Sequence, residues 1–143
     1  MTEVIKSRCV AAGHDGDFAW MAGQARHSRT LFVFNDNEEE FLAHLMGGDH
    51  RCNPGGGNAI VRPLQCGELP RAAGVPTGSY RAGPHYMGYS TLDDHVRGMI
   101  DRAIDRIGQL LATGAHEALA FSWDDETRLG GRIFRTAQPV RDY

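Results

Sequence analysis

Thr30-Leu-Phe-Val-Phe34 is an unbroken run of β-branched, aliphatic and aromatic side chains. Such a run predicts a strand buried on both faces, the kind that lies centrally in a sheet covered by helices. It gives way to Asn35-Asp-Asn37, turn formers whose short polar side chains then stand at the strand's carboxyl end. Leu119-Ala-Phe-Ser-Trp123 repeats the pattern and runs into Asp124-Asp-Glu126. Between them, Leu92, Val96, Met99, Ile100, Ala103, Ile104, Ile107, Leu110 and Leu111 recur at the 3.6-residue period. That stripe predicts an amphipathic helix from Thr91 to Ala112, capped by Ser90 or Thr91 and followed by Gly114.

Glu38 to Met46 carries Phe41, Leu42 and Leu45 at helical spacing, with three glutamates in its first turn where the helix dipole favours them. Gly47-Gly48 ends it. Glu3–Val10 and Ala72–Val75 read as shorter strands, Pro76-Thr-Gly78 as a turn, and Phe18–Ala22 as a short helix or packed loop. Asn58 caps a helical turn through Val61 that Pro63 ends near Arg62. The Gly-, Pro- and Tyr-rich stretch from Pro70 to Gly88 is long for a structureless connection and is expected to form a flap over the sheet edge. Ile133, Phe134, Val140 and Tyr143 supply a last packing segment, in which Pro139 forbids one uninterrupted helix. Strands alternating with helices predict an α/β fold in three layers, a central mixed sheet flanked by helices.

At 143 residues the chain suits one domain, 1–143, with enough core to need no staples. A formal net charge of -3 leaves no basic footprint, so duplex nucleic acid is not an expected partner. No apolar run approaches membrane-span length and the N-terminus lacks a signal-peptide core, so the expected location is the cytoplasm, away from any membrane. Three cysteines, Cys9, Cys52 and Cys66, are an odd number without Cys-x-x-Cys spacing, which argues against a disulfide framework and a thiolate zinc site.

The seven histidines include no His-x-x-x-His pair, so no dedicated metal site is expected. Asp36, Asp124 and Asp125 are either solvated acids at strand ends or a magnesium-binding group. There is no P-loop lysine and no nucleophile with a clearly placed partner, so covalent catalysis has no support and no cofactor is expected.

The stretch Cys52-Asn-Pro-Gly-Gly-Gly-Asn-Ala-Ile60 is the strongest candidate for binding chemistry. Three residues without Cβ lose much backbone entropy on folding, and close approach of N–H groups to an anion is one compensation. It reads as either a phosphate-cradling loop or a flexible surface loop. A second glycine step, Leu129-Gly-Gly-Arg-Ile-Phe134, follows the second buried run. Arg62 and Arg132, one after each step, are either phosphate partners or solvated surface residues. Asn35-Asp-Asn37, Thr77-Gly78 and Asp124-Asp125 all fall at strand carboxyl ends, where ligands settle in open α/β sheets.

The order of these segments resembles the macrodomain family, which binds ADP-ribose and related nucleotides. Gly16-Asp17-Phe18 is similar to that family's Gly-Asp-Ile step, Thr30–Asn37 to its strand ending in Asn-Ala-Ala-Asn, and Gly55–Ile60 to its glycine loop entering a helix. The resemblance implies that Asp17 accepts a hydrogen bond from the adenine amino group, with a backbone contact from Phe18. It implies that Asn37, with Asn35 beside it, faces the distal ribose, and that Gly55, Gly56, Gly57 and Asn58 hold a phosphate. Gly130, Gly131, Arg132, Ile133 and Phe134 would form the second phosphate loop, with Phe134 packing on the ligand. Two departures are visible: the glycine loop lacks the family's Val-Asp pair, and Asp124-Asp-Glu-Thr-Arg128 replaces its Ser-Thr-Gly turn.

The expected function is therefore binding of a small-molecule adenine nucleotide, of the ADP-ribose type or a related signalling nucleotide, with sequestration as one use. The alternative is a hydrolase of ADP-ribosyl or cyclic-nucleotide bonds, in which Asn37 positions water and Asp36 or Asp125 is the base. A third reading is a structural protein or homo-oligomer whose glycines permit close packing.

Overall fold

A computed structural model describes residues 1–47, 52–82, 87–126, 128–129 and 136–143. The elements follow as β1 (Glu3–Ser7), α1 (Phe18–Ala22), β2 (Thr30–Asn37), α2 (Glu38–Leu45), a 3-10 segment (Gly57–Gln65), β3 (Ala72–Ser79), β4 (Met87–Gly88), α3 (Asp94–Ala112), β5 (Ala118–Asp124), β6 (Arg128–Leu129) and α4 (Gln138–Asp142). Two further 3-10 turns, Ala25–His27 and Tyr80–Ala82, precede β2 and follow β3.

The four longer strands lie in the order β1-β5-β2-β3 and are mutually parallel. This corrects the expectation of a mixed sheet. Parallel neighbours require long crossovers, and the segments between these strands are all of that kind. Among the described residues, antiparallel pairing is confined to the two-residue strands β4, on β3, and β6, on β5.

Alternation along the strands sorts the core into two layers. On one face Val33 and Val75 pack with Val96, Met99, Ile100 and Ala103 of α3, Phe41 of α2 and Val140 of α4. On the other, Phe32, Phe34, Ala72 and Ala120 meet Phe18 and Met21 of α1 and Ala59 and Val61 of the 3-10 segment. β2 is buried along its whole length, as its apolar run predicts, but it continues through the polar Asn35-Asp-Asn37.

The helical stripe holds with two differences. Asp93 is the N-cap, its Oδ1 accepting the Val96 N–H at 2.8 Å, so α3 begins later than the apolar pattern does. Ile104, counted in the stripe, is 51% exposed. Gly114 ends the helix at φ +74°, as expected of a residue following the last turn.

Pro76-Thr-Gly78 is strand instead of turn. Pro76 sits opposite Asp36, where the β2–β3 register shifts, and an irregularity is where a strand tolerates a residue without an N–H. The supposed flap is therefore sheet over its first half. Its residues 83–86 lie outside the described residues.

Cys52 and Cys66 form a disulfide across the 3-10 segment, their Cα atoms 6.0 Å apart, which overturns the expectation of unpaired cysteines. The partners are brought together by the path of the chain, which spacing alone does not disclose. Cys9 remains a free thiol.

Gly74 shows how tightly β2 and β3 meet. A Cβ there would fall 2.7 Å from Asp36 Oδ2, 3.0 Å from Asp36 Cβ and 3.1 Å from Phe34 Cζ. Gly56, by contrast, has nothing within 4 Å and an ordinary φ of -77°. Gly74→Ala is expected to destabilise the fold by about 1–3 kcal/mol through overpacking. Gly56→Ala is expected to be neutral or stabilising by roughly 0.5 kcal/mol, since it restricts the unfolded chain. Urea denaturation of the two variants checks both signs.

Candidate functional site

β2 and β5 pair from Thr30↔Ala118 to Val33↔Phe121 and then part. A gap opens at their carboxyl ends, and the Asn58 side chain fills it. Its Oδ1 accepts the Asn35 N–H at 2.9 Å, and its Nδ2 donates to Asn35 Oδ1 at 3.0 Å and to Ser122 Oγ at 2.9 Å. Asn35 Nδ2 donates onward to Thr77 Oγ1 at 3.4 Å. One buried carboxamide thus ties β5 to β2, and through Asn35 to β3. Asn58 is 1% exposed, so each of these polar groups needs the partner it has.

The same segment sends Arg62 inward. Its Nη2 lies 2.6 Å from Asp36 Oδ1, with the two side chains 7% and 1% exposed, and its guanidinium carbon stands 5.9 Å from the centre of the Phe34 ring. Nη1 donates to the Asn53 carbonyl at 3.1 Å, and Asp36 Oδ1 also accepts the Asn37 N–H. Burial pushes the Asp36 carboxyl above its ordinary value, outweighing the opposing pull of Arg62. Arg62 is therefore neither a phosphate partner nor a solvated residue.

This pair also accounts for part of the glycine loop. A Cβ on Gly55 would meet Arg62 Nη1 at 2.8 Å, and the Gly55 N–H donates to the Ala59 carbonyl at 2.9 Å. Gly57 adopts φ +57°, where a side chain is disfavoured. Asn37 caps α2, its Oδ1 accepting the Glu40 N–H at 2.8 Å. Beside it, Glu38 accepts from the Tyr89 hydroxyl and lies 2.7 Å from His95 Nε2, while Glu39 accepts from the Ser79 hydroxyl.

A second constellation stands where β1 and β5 end. α1, which follows β1, packs on one face of the sheet, and β5 is followed by β6, which pairs antiparallel with it. The carboxyl ends of the strands are where ligands settle in open α/β sheets. A cavity of about 410 Å³ there is lined by Lys6, Ser7, Arg8, Trp123, Asp124 and Asp125. Arg8 Nε lies 2.9 Å from Asp124 Oδ2, and the Trp123 indole N–H donates to Asp125 at 3.1 Å. Lys6 Nζ stands 4.5 Å from the centre of the Trp123 ring, and the Arg128 guanidinium 5.7 Å from it.

The turn after β1 brings Asp17 near this crevice. A Cβ on Gly16, at φ +106°, would fall 2.0 Å from the Arg8 carbonyl oxygen, so only glycine lets the loop close on the strand. Asp17 then caps α1, accepting the Gly13 N–H at 3.1 Å and the Trp20 N–H at 3.2 Å. Those two bonds hold its carboxyl below the ordinary value. The Phe18 ring is buried against Phe32, 5.2 Å between centres. The Cys9 thiol is pushed up by burial, with the Asp17 charge adding to the effect.

No family model, curated protein or solved structure gives a significant match to the chain. The site is accordingly read from its own geometry. The predicted residues divide into two places: Asn35, Asn37, Gly55, Gly57 and Asn58 around the β2 end, with internal roles, and Asp17 beside the β1 end. Gly130, Gly131, Arg132, Ile133 and Phe134 lie outside the described residues. Asp36, Asp124 and Asp125 are held by different partners, and no group of three metal-ligating side chains occurs among the described residues.

Lys6, Arg8 and Trp123 were not singled out from sequence. The available signal was a basic pair ending one strand and an aromatic ending another, and only the β1–β5 pairing joins them.

Arg62→Met would strand the Asp36 charge and is expected to cost about 3–5 kcal/mol at neutral pH. A carboxyl whose pKa is higher folded than unfolded binds more protons in the folded state, so stability falls as pH rises through that window. Losing Arg62 widens the window. The variant's deficit should therefore be smaller at acid pH than at pH 7 when denaturation is measured at both, and a deficit that grows on acidification contradicts the pairing.

Proposed function

We propose that this protein binds a small adenine nucleotide, of the ADP-ribose type or a related signalling nucleotide, in the crevice at the ends of β1 and β5. The observation that carries the reading is the Trp123 ring, flanked by Lys6 and Arg128 and lining an open cavity of about 410 Å³ at the ends of β1 and β5. An indole face stacks a base, and neighbouring cations meet phosphate oxygens. Asp17, held ionised by the backbone N–H groups at the head of α1, is the acceptor this reading assigns to an adenine amino group.

A macrodomain-like arrangement is part of the same proposal. The layered α/β architecture and Asp17 at the head of the first helix support it, whereas the parallel order of the four strands gives it no help. Of the bases considered for a hydrolase, Asp36 is sequestered with Arg62, and Asp125 alone stands at the crevice. Binding without turnover is the reading that fits. No helix of the described residues is long and apolar enough to cross a membrane. The Cys52–Cys66 bridge favours an oxidising compartment over the cytoplasm.

A thermal-shift and calorimetric panel of ADP-ribose, ADP, AMP and the inosine counterparts tests the proposal. Adenine diphosphates should raise Tm and be recovered intact. Trp123→Ala should weaken them about tenfold or more, the usual worth of one stacked base. Asp17→Asn, which retains the helix cap, should narrow the preference for adenine over hypoxanthine. No shift with any nucleotide, or binding indifferent to Trp123→Ala, would sink the assignment.

A further inference from the structure

Of the two bridged cysteines, Cys66 lines a surface cavity of about 230 Å³ together with His44 of α2, Arg106 of α3, Gln65, Gly67 and Pro70. This cavity shares no lining residue with the crevice at the ends of β1 and β5. Cys52 and Cys66 are both half-buried, so the bridge is not sealed in the core. A disulfide within reach of a thiol is open to exchange, and the sulfur attacked is set by access and surroundings.

The fixed charge beside Cys66 has one sign. Among the described residues lining the cavity, Arg106 keeps its charge at every pH where thiols react, and none is a carboxylate. Arg106 forms no ion pair with another described residue. The acids nearest along the chain are Glu40, one turn before His44, Asp105, beside Arg106, and Glu68, two residues past Cys66. None of them lines the cavity. A lone positive charge there favours approach of an anionic reagent and opposes a cationic one.

We infer that the Cys52–Cys66 bridge is a site of thiol–disulfide exchange, opened at Cys66 by a small thiol that carries a carboxylate. The thiolate of that molecule attacks Cys66 Sγ and forms a mixed disulfide with it. The Cys52–Cys66 bond breaks, and Cys52 Sγ leaves with the electron pair and takes up a proton. One disulfide replaces another, so no net oxidant or reductant is consumed. The bridge spans the segment that supplies Asn58 and Arg62, and exchange removes the covalent closure around both. Arg106 has no part in the proposed nucleotide crevice, and the inference stands or falls without it.

Exchange kinetics test it in Cys9→Ser protein, which removes the free thiol from the reaction. Mercaptopropionate, mercaptoethanol and cysteamine are compared at low ionic strength, each rate taken per thiolate and relative to the same thiol's rate on hydroxyethyl disulfide. The relative rates should fall in the order anionic, neutral, cationic. After quenching with N-ethylmaleimide, peptide mass spectrometry should find the thiol adduct on Cys66 and the maleimide on Cys52. Arg106→Gln should slow mercaptopropionate about two- to fivefold, the worth of one partly exposed charge contact, and leave mercaptoethanol unchanged. Arg106→Lys should restore the preference, and added salt should erase it without any change at Arg106. A bridge that does not open, equal relative rates for the three thiols, an adduct on Cys52, or an anionic preference that survives Arg106→Gln would overturn the inference.

Discussion

The carboxyl edge of this sheet depends on the Asn58 carboxamide. Pairing of β2 with β5 stops at Val33↔Phe121, and beyond it the Asn35 N–H takes the Asn58 side chain as its partner instead of a strand. A buried amide group left unpaired costs on the order of 1–3 kcal/mol. Asn58 supplies the missing acceptor and adds two donor contacts, so three strands end at fixed distances from one another. The geometry of the crevice follows from that spacing, since it is walled by the end of β5.

Arg62, four residues on in the same segment, carries out a second task. It neutralises Asp36 beneath the β2–β3 junction, and the closeness of that pair requires Gly55 on one side and Gly74 on the other. The Cys52–Cys66 bridge closes the chain around the whole segment. By removing conformations from the unfolded state it favours the arrangement without touching any polar contact inside it. Gly55, one of the glycines that read as a ligand loop, is thereby explained from within the protein, and the open chemistry moves to the β1–β5 side.

Much of the fold was legible in the sequence. Thr30–Phe34, Leu119–Trp123 and the α3 stripe are long, strongly patterned segments in which local preference and burial agree. Where the reading failed, tertiary contacts decided. Pro76-Thr-Gly78 carries turn chemistry yet completes a strand, because Asp36 opposite it sits at a register shift. The parallel order of the strands, the Cys52–Cys66 pairing and the Arg62–Asp36 pair depend on which distant segments meet, and no local spacing encodes that. The site was legible in part. Asn35 stands out in the sequence as a polar residue ending a buried strand and Asn58 as a cap after the glycine loop, but only the fold makes them partners of each other. Lys6 and Trp123 are 117 positions apart by their numbering and meet only through the β1–β5 register.

The most direct measurement of the central claim is native-state hydrogen exchange at the Asn35 amide, read beside the Val33 amide in the middle of the same strand. If the Asn58 side chain is the acceptor that holds the strand ends together, Asn35 should exchange only through global unfolding, at the same opening free energy as Val33. An Asn35 amide that exchanges rapidly while Val33 remains protected would mean that the carboxyl edge opens by itself, and the account of a fixed rim would be wrong.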